Sequence, residues 1–211
     1  MHIAYKSSLI THTNELGYNG AILQCLAIHK ALHSDCTVPL DIDAFALYLQ
    51  EKMATIEKNE DHNSVLLRGG SSSQPRRSTL NVTKSSYVRK LQDMRHLLKT
   101  TTSASPDRVI DVLGHFVSAY GSVPTAIYSF LRSVKDHAAG QEALQGENAF
   151  QRAVHYAIGL GGDTDTIASM TGSIAGAYYG DKAVSPVLLA HCEAVGQAID
   201  LADRLYQAVE K

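Results

Sequence analysis

The sequence predicts an all-α protein. Apolar side chains recur every three or four residues along most of the chain, and no run alternates with the two-residue period of a half-buried strand. Residues that favour helix boundaries also stand where the periodic runs begin. Across residues 19–34, Ala21, Cys25, Ile28 and Leu32 follow one another at helical spacing, which predicts a helix with that stripe facing the core. A second helix is expected after Pro39, with Phe45, Leu49, Met53 and Ile56 in one stripe, and a third with Tyr87, Leu91, Met94 and Leu98; both stripes should be core-facing. Ser105 and Pro106 read as an N-cap and a first helical residue. A serine oxygen can accept a free backbone N–H there, and proline lacks the one it would leave unpaired. A short helix through Val109 and Leu113 should follow. Further helices are expected near 123–134, 148–158, 164–179 and 187–209, the last carrying Leu188, Cys192, Val195, Ile199, Ala202 and Tyr206 in helical register.

One stretch departs from this pattern. Residues 67–86, LRGGSSSQPRRSTLNVTKSS, combine glycine, proline, serine and basic charge with little apolar surface, so a flexible surface insertion is expected. Within it, Arg76, Arg77, Ser78 and Thr79 resemble a basophilic kinase site.

A chain of 211 residues with 45% hydrophobic composition can bury a sizeable core, and its length fits one domain or a large piece of one. A net charge of -2 offers no general attraction to nucleic acid or to anionic membrane, so neither direct DNA binding nor a membrane partner is expected. Cys25, Cys36 and Cys192 are odd in number and far apart, which points to a reducing, intracellular compartment. No basic flank leads into an apolar core at the amino terminus, and no run approaches 18 apolar residues, so the protein should be soluble and unsecreted.

The chemistry concentrates in Gly161, Gly162, Asp163, Thr164, Asp165 and Thr166, which lead into an apolar helix. Two carboxylates and a hydroxyl this close present hard oxygen donors, which suit Mg²⁺ or Ca²⁺. The glycines permit a sharp turn, and Gly172 and Gly176 with Ala168 and Ala175 give the helix behind it a narrow small-residue face. The competing reading is ordinary: aspartate at an N-cap satisfies free N–H groups and complements the helix dipole. An aspartyl-phosphate phosphatase would also show a DxD pair, but it needs a buried strand before the motif, and here Ala157 to Gly162 end a helix. His29 and His33 are four apart as in zinc peptidases, yet Lys30 stands where HExxH needs glutamate. Ser118, Ser122 and Ser129 have no GxSxG elbow.

GLGGDTDTIASMTGSIAGAYYG, residues 159–180, resembles the signature of the ADP-ribosylglycohydrolase family. LGYNGAILQCLAIHKAL and SVPTAIYSFLR resemble the family's type that removes serine-linked ADP-ribose and degrades poly(ADP-ribose). The likeness covers about residues 8–60 and 87–209. It implies an orthogonal helical bundle, with residues 1–211 as the C-terminal portion of one domain and the fold incomplete at the N-terminus. It further implies that Asp163, Asp165 and Thr166 are ligands of a two-Mg²⁺ centre, that His12 meets the ADP-ribose diphosphate and that Val117 lines the adenosine end. The implied partners are ADP-ribosylated proteins, poly(ADP-ribose) and ADP-ribose, met by a monomer in nucleus and cytoplasm, with the mitochondrial matrix as a further compartment and the DNA damage response as the setting.

The family's acidic catalytic residue, its threonine and paired-aspartate metal ligands and its glycine-rich phosphate loop precede the region where this chain begins. No TDD triplet and no early GDxxG occur here. The expectation is therefore a hydrolase of O-linked ADP-ribose whose isolated C-terminal portion is inactive; the alternative is a non-catalytic helical binding or scaffold protein, truncated or a pseudoenzyme.

Overall fold

The computed structural model describes residues 1–67, 86–100, 104–138 and 148–209. Among these residues there are ten α-helices, one short 3-10 helix and no strand, so the all-α expectation holds. In chain order the helices are α1 (His2–Ser8), α2 (Glu15–Leu32), α3 (Ile42–Leu67), α4 (Tyr87–Lys99) and α5 (Pro106–Leu113). They continue with α6 (Ala119–Ala138), α7 (Ala149–Gly159), α8 (Thr164–Tyr179), α9 (Pro186–Ala190) and α10 (Val195–Val209); the 3-10 helix is Asp181–Ala183. The insertion expected at 67–86, with its kinase-like residues, lies outside the described residues except at its flanks.

Helices α6, α7 and α8 pack against one another and form the centre, with α2 laid across α6 and α8. The α3–α4 pair closes the other side of α6, and α1 packs on α2. Phe45, Leu49 and Met53 from α3, Tyr87, Leu91 and Met94 from α4, and Ile127, Phe130 and Leu131 from α6 are all buried in one core. Both stripes expected for α3 and α4 thus face inward as predicted, with Ile56 at the margin. Burying each such side chain contributes about 1.5–3 kcal/mol against the entropy of ordering it.

Local chemistry sets the helix ends. Ser105 accepts the Arg108 N–H at 3.3 Å with Pro106 in the first turn, as expected. Asn148 and Gln151 form a reciprocal capping box at the start of α7. Glu57 of α3 accepts from the Ser86 hydroxyl and, at 2.7 Å, from the Tyr87 N–H, so α3 holds the start of α4. Lys135 of α6 donates to the carbonyls of Leu98 and Thr100, each at 2.7 Å, and satisfies the end of α4. Helix α6 starts earlier than expected, because the N–H groups of Gly121 and Ser122 already bond Ser118 O; Pro124 consequently lies inside it. Buried Ser122, Thr125, Ser129 and Ser133 turn their hydroxyls back onto helix or loop carbonyls, so the serines among them are structural.

Two expectations are corrected. The stripe Ala21, Cys25, Ile28 and Leu32 is not the core face of α2: Cys25 and Leu32 are exposed, and Ala21 and Ile28 are half-buried. The core takes Ile22, Leu23, Leu26, Ala27 and Ala31 instead. This helix carries apolar residues on more than one face, so spacing alone does not select which face is buried. The helix expected over 187–209 is also broken. His191 Nδ1 donates to Val187 O at 2.7 Å and closes α9, Ala194 takes a left-handed φ of 59°, and α10 then restarts with no buried residue. Leu188, Ile199 and Tyr206 are exposed.

Leu131 is fully buried, so Leu131→Ala should cost about 2–5 kcal/mol, and Asn148→Ala about 1 kcal/mol through loss of its cap. Urea unfolding of the two variants checks this ordering; a smaller loss at Leu131 than at Asn148 would contradict the core assignment.

Candidate functional site

The chain reverses between α7 and α8 on two glycines. Gly161 and Gly162 both have φ of 70°, a left-handed conformation that other residues adopt only with strain. A Cβ on Gly162 would overlap the carbonyl oxygen of His115, so the two backbones approach too closely for any side chain. That same oxygen accepts the Asp163 N–H at 2.9 Å, and His115 Nδ1–H donates to Leu160 O at 2.9 Å. One residue therefore holds both ends of the reversal. Its own loop is fixed in turn, because Thr125 Oγ1 donates to Gly114 O at 2.6 Å. Lys90 donates to Val112 O at 2.7 Å and Leu113 O at 2.9 Å while lying 4.9 Å from the Tyr120 ring centroid. Burial lowers the Lys90 pKa from its ordinary value, though its carbonyl partners suit the charged form.

Asp163 occupies the N-cap position of α8 but makes no capping bond to the helix backbone. Its Oδ1 instead accepts the Thr166 hydroxyl at 2.9 Å. The plain capping reading is thus not how this carboxylate is used. Asp165 is exposed in the first turn, and its pKa lies below the ordinary aspartate value, first through the Thr166 N–H, then through the Asp163 side chain and its own N–H. A depressed carboxylate keeps its charge, and its small stabilising contribution, until pH falls below the ordinary aspartate range. Behind the loop, the small-residue face of α8 meets α7: a Cβ on Gly172 would touch Val154 Cγ2 at 3.7 Å, an ordinary contact.

An open cavity of about 970 Å³ lies beside this loop. His12, Val117 and Thr166, which the sequence places far apart, all line it. His12 sits with Nδ1 2.8 Å from Thr11 Oγ1 and its ring against Gly17. Val117 is 82% exposed, so core packing does not account for it. Asp163 and Asp165 are not part of the cavity wall; Thr166 connects them to it. The wall is otherwise largely apolar, with Leu16, Ile28, Leu32, Val123 and Met170, and the misassigned stripe of α2 forms one side of it. Gln24 spans from this wall to α8, donating to Met170 O at 3.0 Å. His29 and His33 stack with centroids 4.2 Å apart, and His33 Nδ1 bonds His29 O, so this pair ends a helix.

His115 was not singled out by sequence reasoning. The available signal was Gly114 followed by the apolar pair Phe116 and Val117 in a short connection between helices, where exposed apolar residues have no packing reason.

Among the described residues no group of three or more histidine, cysteine, aspartate or glutamate side chains is placed to hold a metal. Asp163, Asp165 and Thr166 offer two carboxylates and a hydroxyl, a donor set of the right hardness for Mg²⁺ but short of its octahedral demand.

Comparison with known proteins resolves the relationship. The family model for ADP-ribosylglycohydrolase matches residues 1–211. The chain belongs to the ADP-ribosylglycohydrolase family. It is 37% identical over 204 residues to ADP-ribosylhydrolase ARH3 of Gallus gallus, covering 97% of this chain and 50% of that protein. It is 36% identical over 208 residues to the proteins of the same name from Mus musculus and Homo sapiens, covering 99% of this chain and 51% and 52% of theirs. The chain thus spans about half the length of the curated relatives it matches. The all-α architecture agrees with membership of this family, and no described helix is long and apolar enough to cross a membrane.

Gly162→Ala should lose about 1–3 kcal/mol through backbone strain and collision with His115, whereas Gly159→Ala, with open space around it, should be neutral or gain about 0.5–1 kcal/mol. Thermal melts of the pair test the close approach; equal effects would remove it.

Proposed function

We propose that this chain supplies the metal-holding and substrate-lining part of a Mg²⁺-dependent hydrolase that releases ADP-ribose from O-linked serine conjugates and degrades poly(ADP-ribose). The observation that carries the reading is the use of Asp163: at an N-cap it takes the Thr166 hydroxyl and no helix N–H, beside a cavity that also collects His12 and Val117. Family membership and relatives named ADP-ribosylhydrolase ARH3 support the substrate class.

In this reading Asp163, Asp165 and Thr166 hold Mg²⁺ in a two-ion centre, together with ligands beyond those the described residues provide. The bound ions supply electrostatic stabilisation as the glycosidic bond breaks towards an oxocarbenium-like state. The chain's own residues do the rest of the positioning. His12 faces the diphosphate from the cavity rim, and Val117 with the apolar wall receives the adenosine end, where flat apolar contact and exclusion of water favour a base. Because the donor set is partial, the chain alone should bind Mg²⁺ weakly and turn over little.

The test joins this chain to the N-terminal half of a curated relative and measures Mg²⁺-dependent ADP-ribose release from a serine-modified peptide, with Mg²⁺-induced melting shifts alongside. Asp163→Asn and Asp165→Asn each remove one unit of ligand charge while keeping shape, so both should abolish most turnover and shrink the melting shift. The fold should survive in metal-free buffer, because both side chains lie at the helix start and outside the buried core. Thr166→Val should be milder, since a neutral donor is lost. Wild-type activity in both aspartate variants would refute the metal assignment, and ADP-ribose binding without release in the joined protein would favour the non-catalytic reading.

A further inference from the structure

Loop 114–118 and loop 160–163 come from different parts of the chain, yet they meet at one residue. His115 bonds the second loop twice, through its ring to Leu160 O and through its carbonyl from the Asp163 N–H, each at 2.9 Å. The acceptor at Leu160 is a carbonyl, so Nδ1 must carry the proton and donate. The ring is half-buried and leans edge-on against Phe116, 4.6 Å between centroids at 73°, which fixes its plane. Gly162 closes the contact, since nothing larger than hydrogen fits between it and the His115 oxygen.

We infer that His115 is a positioning residue: its ring locks the 160–163 reversal in the geometry that sets Asp163, Asp165 and Thr166 beside the cavity, and ties them to Val117 two residues along its own loop. This rests on the reading of those three side chains as the metal ligands, but the lock itself can be tested without metal. The backbone acceptor of His115 survives any substitution, so the inference concerns the ring alone. Without the Nδ1–H bond, Leu160 O loses its partner and the left-handed glycines have less to hold them against relaxing. The reversal should then sample other conformations while α6, α7 and α8 stay packed, because their core does not include this ring.

The experiment uses the full chain with His115→Ala and His115→Asn. Asparagine can place an N–H near the position of Nδ1, so it should rescue. Amide hydrogen exchange in metal-free buffer should show protection of the Asp163 N–H falling about tenfold in the alanine variant, the size of one buried hydrogen bond, and returning towards wild type with asparagine. Protection within α6 and α8 should be unchanged. An Asp163 N–H as protected in His115→Ala as in wild type would overturn the lock. So would equal loss across α6 to α8, which marks a general structural role, or failure of asparagine to rescue. Mg²⁺ titration of the same samples, read by the melting shift, keeps the two claims apart. If wild type responds to Mg²⁺, the alanine variant should need several-fold more, and an unchanged requirement would overturn the positioning role. If wild type does not respond, the metal assignment fails while the exchange data still decide the lock.

Discussion

The approach of Gly162 to the carbonyl oxygen of His115 constrains everything around the site. It requires a residue without a side chain in a left-handed conformation. It also sets where α8 begins, since the residue after Gly162 is both the N-cap of that helix and a donor to the same oxygen. The start of α8 then determines where the Asp163–Thr166 pair stands relative to the cavity. Behind this contact the supports are layered: Thr125 holds Gly114, Lys90 holds the end of α5, and the α6–α7–α8 packing holds Thr125. A site built this way depends on helices for its precision, although its acidic groups lie at a helix end.

Much of this was legible in the sequence because the relevant signals are local. Ser105–Pro106 marks a helix start by the chemistry of two adjacent residues, and the stripe of α4 is unambiguous because charged residues fill its opposite face. The limits of α8 were readable from the paired glycines before Asp163 and from Gly180 after Tyr179, whose φ of 76° ends the helix. The donor trio, too, could be read as hard oxygens from residue type alone. What residue type could not supply was the partner of Asp163, which accepts the Thr166 hydroxyl and not a helix N–H.

The misreadings share a cause. Periodicity reports that a face is apolar, not what covers it. On α2 the stripe of Ala21, Cys25, Ile28 and Leu32 is as regular as a core stripe, and it lines a cavity. On α10 the pattern is equally regular, and every described side chain from Gly196 to Val209 is exposed. The break before α10 rests on a hydrogen bond from His191 and a left-handed alanine, neither of which a spacing rule detects. His115 was missed for a related reason: its carbonyl and its ring act on residues 45 or more positions away, and that contact exists only once α6 and α7 are packed.

The electrostatics of the site give the proposed chemistry an internal requirement. Asp163 and Asp165 place two negative charges beside a cavity with a largely apolar wall, in a chain of net charge -2. A diphosphate approaching that corner is repelled, and the repulsion grows as water is displaced from the wall. The cavity wall carries histidines, His12 and His29, but no lysine or arginine, so it can offset only part of that repulsion. On the proposed reading the aspartates therefore cannot accept an ADP-ribose group without a cation shared between them and the substrate. Linkage then demands that metal and substrate strengthen each other's binding by the same factor. Such coupling is greatest when the loop bearing the carboxylates is already fixed, because no ordering cost is left to be met on binding. The reversal at Gly161 and Gly162, tied at both ends to His115, supplies that condition.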